Sequence, residues 1–238
     1  MDNFNLGRRN SKDAIVRDYG IPAAKIEVIH NSIDTASITA YDDANAYQYL
    51  TLMKQLGYKV VVNVGRLTIQ KGLPNLLRAA KSVIDHSPKT LFLIVGSGEQ
   101  YHELIEQSAE LGIGSNVIFV DFQRGKRWRD AFMIGDLFVM PSVSEPFGLT
   151  PLEAIGYGTP TLISKQSGVS EVLKNCLKCD YWDTAEMANQ ILSLLNNPAL
   201  AQELTANATA EYEKLSWNKA SDKIIELYSA HTAAGAVV

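Results

Sequence analysis

The sequence predicts a doubly wound α/β domain with a helical C-terminal tail, and three observations indicate this fold class. Short apolar runs, such as residues 60–64 and 91–95, alternate with segments that have an amphipathic helical pattern. Strands that are apolar on both faces are typical of a parallel sheet covered by helices on each side. The 238 residues suffice for one large core, and the segments after residue 184 have helical patterns only.

The predicted elements follow one another in a regular order. Strands are predicted at residues 25–30, 60–64, 91–95, 117–120, 137–140, 161–163 and 177–179. Helices are predicted at residues 11–19, 42–56, 73–86, 99–111, 126–134, 150–156, 170–174, 184–196, 200–215 and 217–230. In such a sheet a ligand is expected beyond the carboxyl ends of the strands.

Composition excludes several classes of partner. The net charge is −4, and no block of like charges occurs, which disfavours nucleic acid and membrane surfaces. No apolar run approaches the roughly 18 residues of a membrane span, and the first residues do not begin a signal peptide. We therefore expect a cytoplasmic protein without an integral membrane segment.

The two cysteines, Cys176 and Cys179, form a C-x-x-C pattern. A redox pair or half of a zinc site would have this spacing, but there is no second pair and no nearby histidine. The segment is predicted as a strand, which directs the two side chains to opposite faces. We predict that both are small core residues.

Two glutamates flank a predicted helix start after the strand at residues 137–140. Glu145 lies on the loop before the helix. Thr150 supplies a hydroxyl that can cap the helix, Pro151 occupies the first turn, and Glu153 places a carboxylate three residues after the cap. In the alternative interpretation, Thr150 and Glu153 form an ordinary capping box and Glu145 is a solvated charge on the loop. A helix N-terminus favours an anion, and carboxylates accept hydrogen bonds from hydroxyls.

Between these glutamates lies the tripeptide Phe147-Gly148-Leu149. The glycine allows a ligand to approach the backbone closely. A ligand with phosphates and many hydroxyls fits such a loop, and a nucleotide sugar is one example.

A second loop, after the strand at residues 60–64, carries two cations. Gly65-Arg66-Leu67 ends the strand, and Lys71 precedes the next helix. A guanidinium fork and an ammonium at a strand's carboxyl end are suited to a diphosphate, although an isolated pair of this kind is often only solvated.

Together these motifs resemble a known family. The string E-P-F-G-L-T-P-L-E, residues 145–153, closely resembles the Glu-(seven residues)-Glu signature of retaining GT-B glycosyltransferases, which include bacterial glycogen synthases. The loop at residues 65–72 resembles the diphosphate-binding signature of the same family. The resemblance spans about residues 11–230 and implies the Rossmann-like C-terminal half of a GT-B fold.

The resemblance also implies domain boundaries and residue roles. Residues 1–24 would end a missing acceptor domain, residues 25–215 would form the donor-binding domain, and residues 216–238 the last helix and a frayed end. Arg66, Lys71 and Glu145 would be catalytic, and Glu145 would hold the sugar hydroxyls, aided by the amides of residues 147–149. The implied substrate-binding residues are Gly65, Gly98, Phe122, Gln123, Phe147, Gly148, Leu149, Thr150 and Glu153. Of these, Glu153 would hold the ribose, and Phe122 and Gln123 would lie beside the base, although Phe122 is also compatible with the core.

Several positions depart from the family pattern or fall outside the predicted site. Ser32 and Asp121 stand where the family has glycine. His30 is interpreted as a turn residue because no partner acid lies near it in sequence, and Ser167-Gly168-Val169 as a packing element. The last helix, with Trp217, is expected to present an apolar face to the missing domain.

The resemblance implies transfer of a hexosyl group, with retained configuration, from a UDP-, ADP- or GDP-sugar to a glycan or other hydroxyl acceptor. No metal or other cofactor is expected, and no D-x-D motif occurs. The acceptor would bind through the missing domain, so this chain would be inactive alone. The alternatives are a GT-B-like nucleotide-sugar epimerase and a non-catalytic nucleotide-binding module.

Overall fold

The computed structural model describes residues 4–6, 9–33, 38, 44–215 and 217–235. Its strands are β1 (Phe4–Leu6), β2 (Ile26–Val28), β3 (Lys59–Val64), β4 (Thr90–Val95), β5 (Val117–Val120), β6 (Leu137–Met140), β7 (Thr161–Ser164) and β8 (Leu177–Cys179). Within the described residues, six of them form a parallel sheet in the order β5-β4-β3-β6-β7-β8. This confirms the predicted fold class and each predicted strand of the main sheet.

Helices connect these strands and form the tail. They are α1 (Arg9–Tyr19), α2 (Gln48–Gln55), α3 (Leu73–His86), α4 (Tyr101–Glu110), α5 (Gly125–Met133), α6 (Thr150–Gly156), α7 (Thr184–Leu195), α8 (Pro198–Tyr212) and α9 (Trp217–Gly235). Within the described part of the chain, every helix is too short or too polar to cross a membrane.

The core lies on both faces of the sheet, as a parallel sheet requires. Along β3, Val60 and Val62 belong to a cluster with α5, α6 and α8, while Val61 faces a second cluster with α3, α4 and α7. Cys176 lies in the first cluster and Cys179 in the second, and both are free thiols. Burial raises the pKa of Cys176 to about 11 and that of Cys179 to about 12, so they are inert core residues, as predicted.

β1 and β2 form a separate two-stranded parallel sheet, paired in register from Phe4↔Ile26 to Leu6↔Val28. The strand at β1 was not expected from the polar N-terminal residues. β2 begins at Ile26, close to the predicted domain boundary between residues 24 and 25. That boundary stays a prediction.

Three helix predictions are wrong in extent. The last helix, expected to end at residue 230, continues to Gly235. The helix expected from residue 42 begins at Gln48, because Asp130 Oδ2 accepts a hydrogen bond from the Ala46 N–H at 2.7 Å and holds residues 44–47 in an irregular conformation. The helix expected at residues 170–174 is a 3₁₀ turn at Gly168–Glu171. The predicted turn at Asp34, the Asp42-Asp43 pair, the Ser216 cap and the last three residues lie outside the described residues.

The tail helix α9 keeps several large apolar side chains in solvent. Trp217 is 47% exposed, Ile225 61% and Tyr228 72%. The surface that would cover them stays a prediction.

Candidate functional site

The site is centred where the strand order reverses, between β3 and β6. Successive crossovers lead from β3 to β4 and β5 on one side and from β6 to β7 and β8 on the other, so the loops after β3 and β6 diverge around a crevice. Asn63, a buried polar residue, donates a hydrogen bond from Nδ2 to the Val139 carbonyl at 2.8 Å and joins the two strand ends. Sequence reasoning missed Asn63, although an amide within an apolar strand was a visible signal.

The loop after β3 packs directly on the end of β6. Residues Ile69–Lys71 form a 3₁₀ turn that ends at Gly72 with φ +66°, the left-handed region that glycine tolerates. A Cβ at Gly72 would lie 2.2 Å from the Pro141 carbonyl oxygen, so the two segments leave no room for a side chain. The Val143 N–H also donates to the Gln70 carbonyl at 2.8 Å. These contacts bring Lys71 to the loop of Glu145.

Lys71 Nζ and Glu145 Oε2 form an ion pair, and only 18% and 15% of their side chains are exposed. Arg66, by contrast, is exposed and has no ion pair with any residue of the described chain. The structure therefore brings Lys71 and Glu145 into contact and leaves the Arg66 guanidinium available at the same edge of the sheet.

The loop of Glu145 is supported from behind by the 3₁₀ turn at Gly168–Glu171. The Gly168 N–H donates to the Glu145 carbonyl at 3.0 Å, and the Val169 N–H donates to the Phe147 carbonyl at 2.7 Å. A Cβ at Gly168 would lie 2.2 Å from the Pro146 carbonyl oxygen. The Ser167-Gly168-Val169 segment is thus a packing element, as predicted.

Backbone N–H groups are available in the predicted ligand loop. Within the described residues, nothing accepts a hydrogen bond from the N–H groups of Phe147, Gly148 or Leu149. Gly148 has φ +95°, the Phe147 side chain is buried, and the Leu149 side chain is 42% exposed. The loop can therefore offer backbone donors to a ligand.

The predicted capping box is wrong. α6 begins at Thr150 itself, Leu149 occupies the cap position, and no side chain caps the helix. The Thr150 hydroxyl lies 3.8 Å from the Met140 sulfur instead. Because the helix starts one residue early, Thr150 is inside the first turn and its hydroxyl cannot reach the free N–H groups.

Glu153 is consequently free of a capping role and faces a partly buried environment. Burial raises the pKa of the Glu153 carboxyl, and a hydrogen bond from the Trp128 side chain partly offsets that increase. Trp128 was not among the predicted site residues. Trp128 lies on α5, and nothing in the sequence around it indicated a contact with Glu153.

Phe122 and Gln123 follow β5, at the edge of the sheet. Phe122 is 50% exposed, which excludes the core interpretation, and its ring lies 5.2 Å from the Arg124 guanidinium and 6.3 Å from the Trp128 ring. Gln123 Nε2 donates to the Asp121 carbonyl at 2.9 Å. Phe122 is an accessible aromatic surface, and Trp128 lies between it and Glu153.

Gly65 and Gly98 belong to two loops that pack against each other. The Gly65 N–H donates to the Val95 carbonyl at 2.9 Å, and the Leu67 N–H donates to the Ser97 carbonyl at 2.9 Å. A Cβ at Gly98 would lie 2.3 Å from the Leu67 carbonyl oxygen. Close packing between these loops is sufficient to require glycine at position 98, whether or not a ligand is present.

Comparison with solved structures defines the class of this fold. HepE of Anabaena, solved in complex with UDP and glucose, superposes with a TM-score of 0.82 at 23% identity, over 97% of this chain and 64% of HepE. The described domain has the Rossmann-like α/β fold found in GT-B enzymes, as the sequence predicted.

The family follows from the sequence relatives. The family model of glycosyl transferases group 1 matches residues 52–211, more than half of the chain, and the chain belongs to that family. A D-inositol 3-phosphate glycosyltransferase of Rhodococcus jostii is 33% identical over 237 residues, which cover 95% of this chain and 52% of the relative. A glycogen synthase of Mycobacterium tuberculosis is 31% identical over 193 residues, 80% of this chain and 44% of the synthase. The chain spans about half the length of these relatives.

Proposed function

We propose that this chain is the donor-binding half of a retaining glycosyltransferase that takes a hexosyl group from a nucleoside diphosphate sugar. The observation that carries the proposal is the meeting of the loops after β3 and β6, with Arg66 and Lys71 on one and Glu145 on the other. The family supports it, and so does HepE, whose structure holds UDP and glucose.

The proposed chemistry follows from where charge develops. Cleavage of the bond between sugar and diphosphate builds negative charge on the leaving phosphate and positive charge on the anomeric carbon. Arg66 and Lys71 stabilise the leaving phosphate, together with the free N–H groups of residues 147–149. In this proposal the cations take the place of a metal ion. Glu145 holds the hydroxyls of the sugar.

The nucleoside would lie toward the β5 edge. Phe122 offers a half-exposed ring on which a base can stack, and the Glu153 carboxylate accepts hydrogen bonds from the ribose hydroxyls. The acceptor, a glycan or another hydroxyl compound, would bind through a further domain. We expect the present chain to bind donor but to be inactive alone.

Calorimetric titration with UDP, ADP and GDP tests the proposal. We expect one nucleotide to bind and Arg66→Ala to weaken its binding by roughly tenfold or more, since hydrogen bonds to charged groups contribute about 1.5–3 kcal/mol. Arg78→Ala, which removes an exposed arginine on α3, is the matched control. Absence of binding to all three nucleotides would contradict the proposal for this chain.

Titration of Glu153→Ala separates two roles of that residue. Weaker nucleotide binding with an unchanged melting temperature indicates contact with the ribose. A change in melting temperature alone indicates a structural role.

A further inference from the structure

His30 connects the segment after β2 to the loop of the candidate site. His30 Nε2 lies 3.1 Å from Glu171 Oε2, and because a carboxylate only accepts, the imidazole nitrogen is the donor. The centroid of the His30 ring lies 6.3 Å from that of Phe147. The side chains of the pair are 24% and 18% exposed. The interpretation of His30 as a turn residue was therefore incomplete, because its partner Glu171 lies 141 residues away in sequence.

Glu171 ends the 3₁₀ turn that supports the loop from behind. The Gly168 and Val169 N–H groups of that turn donate to the Glu145 and Phe147 carbonyls. The turn also packs so closely on the loop that a side chain at Gly168 would overlap the Pro146 carbonyl. A displacement of Glu171 is therefore transmitted to the loop, because the two backbones have no room to slide past each other.

We propose that His30 is a positioning residue for the donor site. It holds the loop at residues 145–149 along two paths, directly through the Phe147 ring and indirectly through Glu171 and the turn. Both paths end on the segment that carries Glu145 and the free N–H groups of residues 147–149. The effect on the loop follows from contacts in this chain, whereas the effect on donor binding rests on the proposed function.

Hydrogen exchange followed by mass spectrometry tests the effect on the loop. With His30→Ala we expect roughly tenfold faster exchange at the Gly168 and Val169 N–H groups, which donate to the loop, and no change in β4, because one charge-assisted hydrogen bond is lost. His30→Gln places its amide nitrogen near the position of Nε2 and should restore slow exchange. His30→Asn is too short to do so. His102→Ala, which removes a histidine ring that contacts Tyr101, is the control.

Unchanged exchange in His30→Ala, or a uniform increase across the sheet, would overturn the proposal. Faster exchange that His30→Gln fails to restore would overturn the hydrogen bond as its basis.

Titration of the same variants with UDP tests the consequence for the ligand. We expect His30→Ala to weaken UDP binding several-fold and His30→Gln to restore it. A loosened loop with unchanged UDP affinity would overturn the link to donor binding. If the wild-type chain does not bind UDP, the titration contradicts the proposed function for that donor, and the exchange experiment still decides whether His30 holds the loop.

Discussion

Lys71 Nζ and Glu145 Oε2 form an ion pair that joins the loops after β3 and β6, 74 residues apart in sequence. The resemblance implied separate roles for them, one on the diphosphate and one on the sugar hydroxyls. The structure makes them a single unit in which each charge is neutralised by the other. A phosphate that approaches Lys71 must therefore compete with the Glu145 carboxylate.

This competition predicts opposite effects for two substitutions. Glu145→Gln removes the competing charge, so we expect UDP to bind this chain a few-fold more tightly. Lys71→Met removes the cation, and we expect UDP to bind roughly tenfold or more weakly because a charge-assisted hydrogen bond is lost. Calorimetric titration at low ionic strength, where screening is smallest, measures both effects.

The exposed ion pair between Lys165 and Asp180, with its atoms 2.9 Å apart, provides a matched control. Asp180→Asn and Lys165→Met should leave UDP affinity unchanged. If Glu145→Gln weakens UDP binding as much as Lys71→Met does, the carboxylate assists the diphosphate instead of competing with it.

The sequence predicted the features that depend on local residue patterns, namely the strands of the main sheet and the positions of its loops. Apolar runs located each strand of the main sheet, because buried parallel strands are apolar on both faces. Motif spacing placed Lys71 and Glu145 at the carboxyl edge of that sheet. The sequence did not predict their direct contact, because the adjacency of β3 and β6 is a long-range property of the topology.

The hydrogen-bond partners of site side chains could not be predicted from the nearby sequence either. The contact of His30 with Glu171 depends on tertiary structure, as does the hydrogen bond from Trp128 to Glu153. The Thr150 cap was wrong for a different reason. The string T-P-x-E is compatible with a helix that starts at the threonine and with one that starts at the next residue. In the structure α6 starts at Thr150, whose hydroxyl packs against the Met140 sulfur.

The close approach of two loops predicts a structural cost at Gly98. A methyl group there would lie 2.3 Å from the Leu67 carbonyl oxygen, so we expect Gly98→Ala to lower the free energy of unfolding by about 1–3 kcal/mol. Urea denaturation without nucleotide measures this. Gly114→Ala is the control, since a Cβ at Gly114 meets no atom within 4 Å. Equal stability of Gly98→Ala and wild type would indicate that the loops can separate at little cost.

The exposed ring of Phe122 predicts a binding effect without a stability effect. We expect Phe122→Ala to weaken binding of the preferred nucleotide by about 1–3 kcal/mol, the range found for stacking of a base on an aromatic side chain. The melting temperature should change little, because half of the ring is already in solvent. Tyr49→Ala, which removes another exposed ring, is the control for calorimetric titration. An unchanged affinity would place the base elsewhere.

The burial of Glu153 predicts a pH-dependent effect of its removal. Burial raises the pKa of this carboxyl above its ordinary value of 4.5, so the folded protein binds a proton at higher pH than the unfolded chain does. The contribution of Glu153 to stability therefore falls as pH rises through the window that begins at 4.5 and ends at the raised pKa. Glutamine does not titrate and still accepts the hydrogen bond from Trp128.

We therefore expect Glu153→Gln to be more stable than wild type at neutral pH. This advantage should shrink as the pH falls through the window and disappear below it, where the carboxyl is protonated in both states. Urea denaturation of both proteins at a series of pH values measures the difference. Glu203→Gln, which replaces an exposed glutamate on α8, should give the same difference at every pH. An advantage of Glu153→Gln that grows toward acidic pH would mean that the folded protein stabilises the Glu153 carboxylate, and the burial argument would then be wrong.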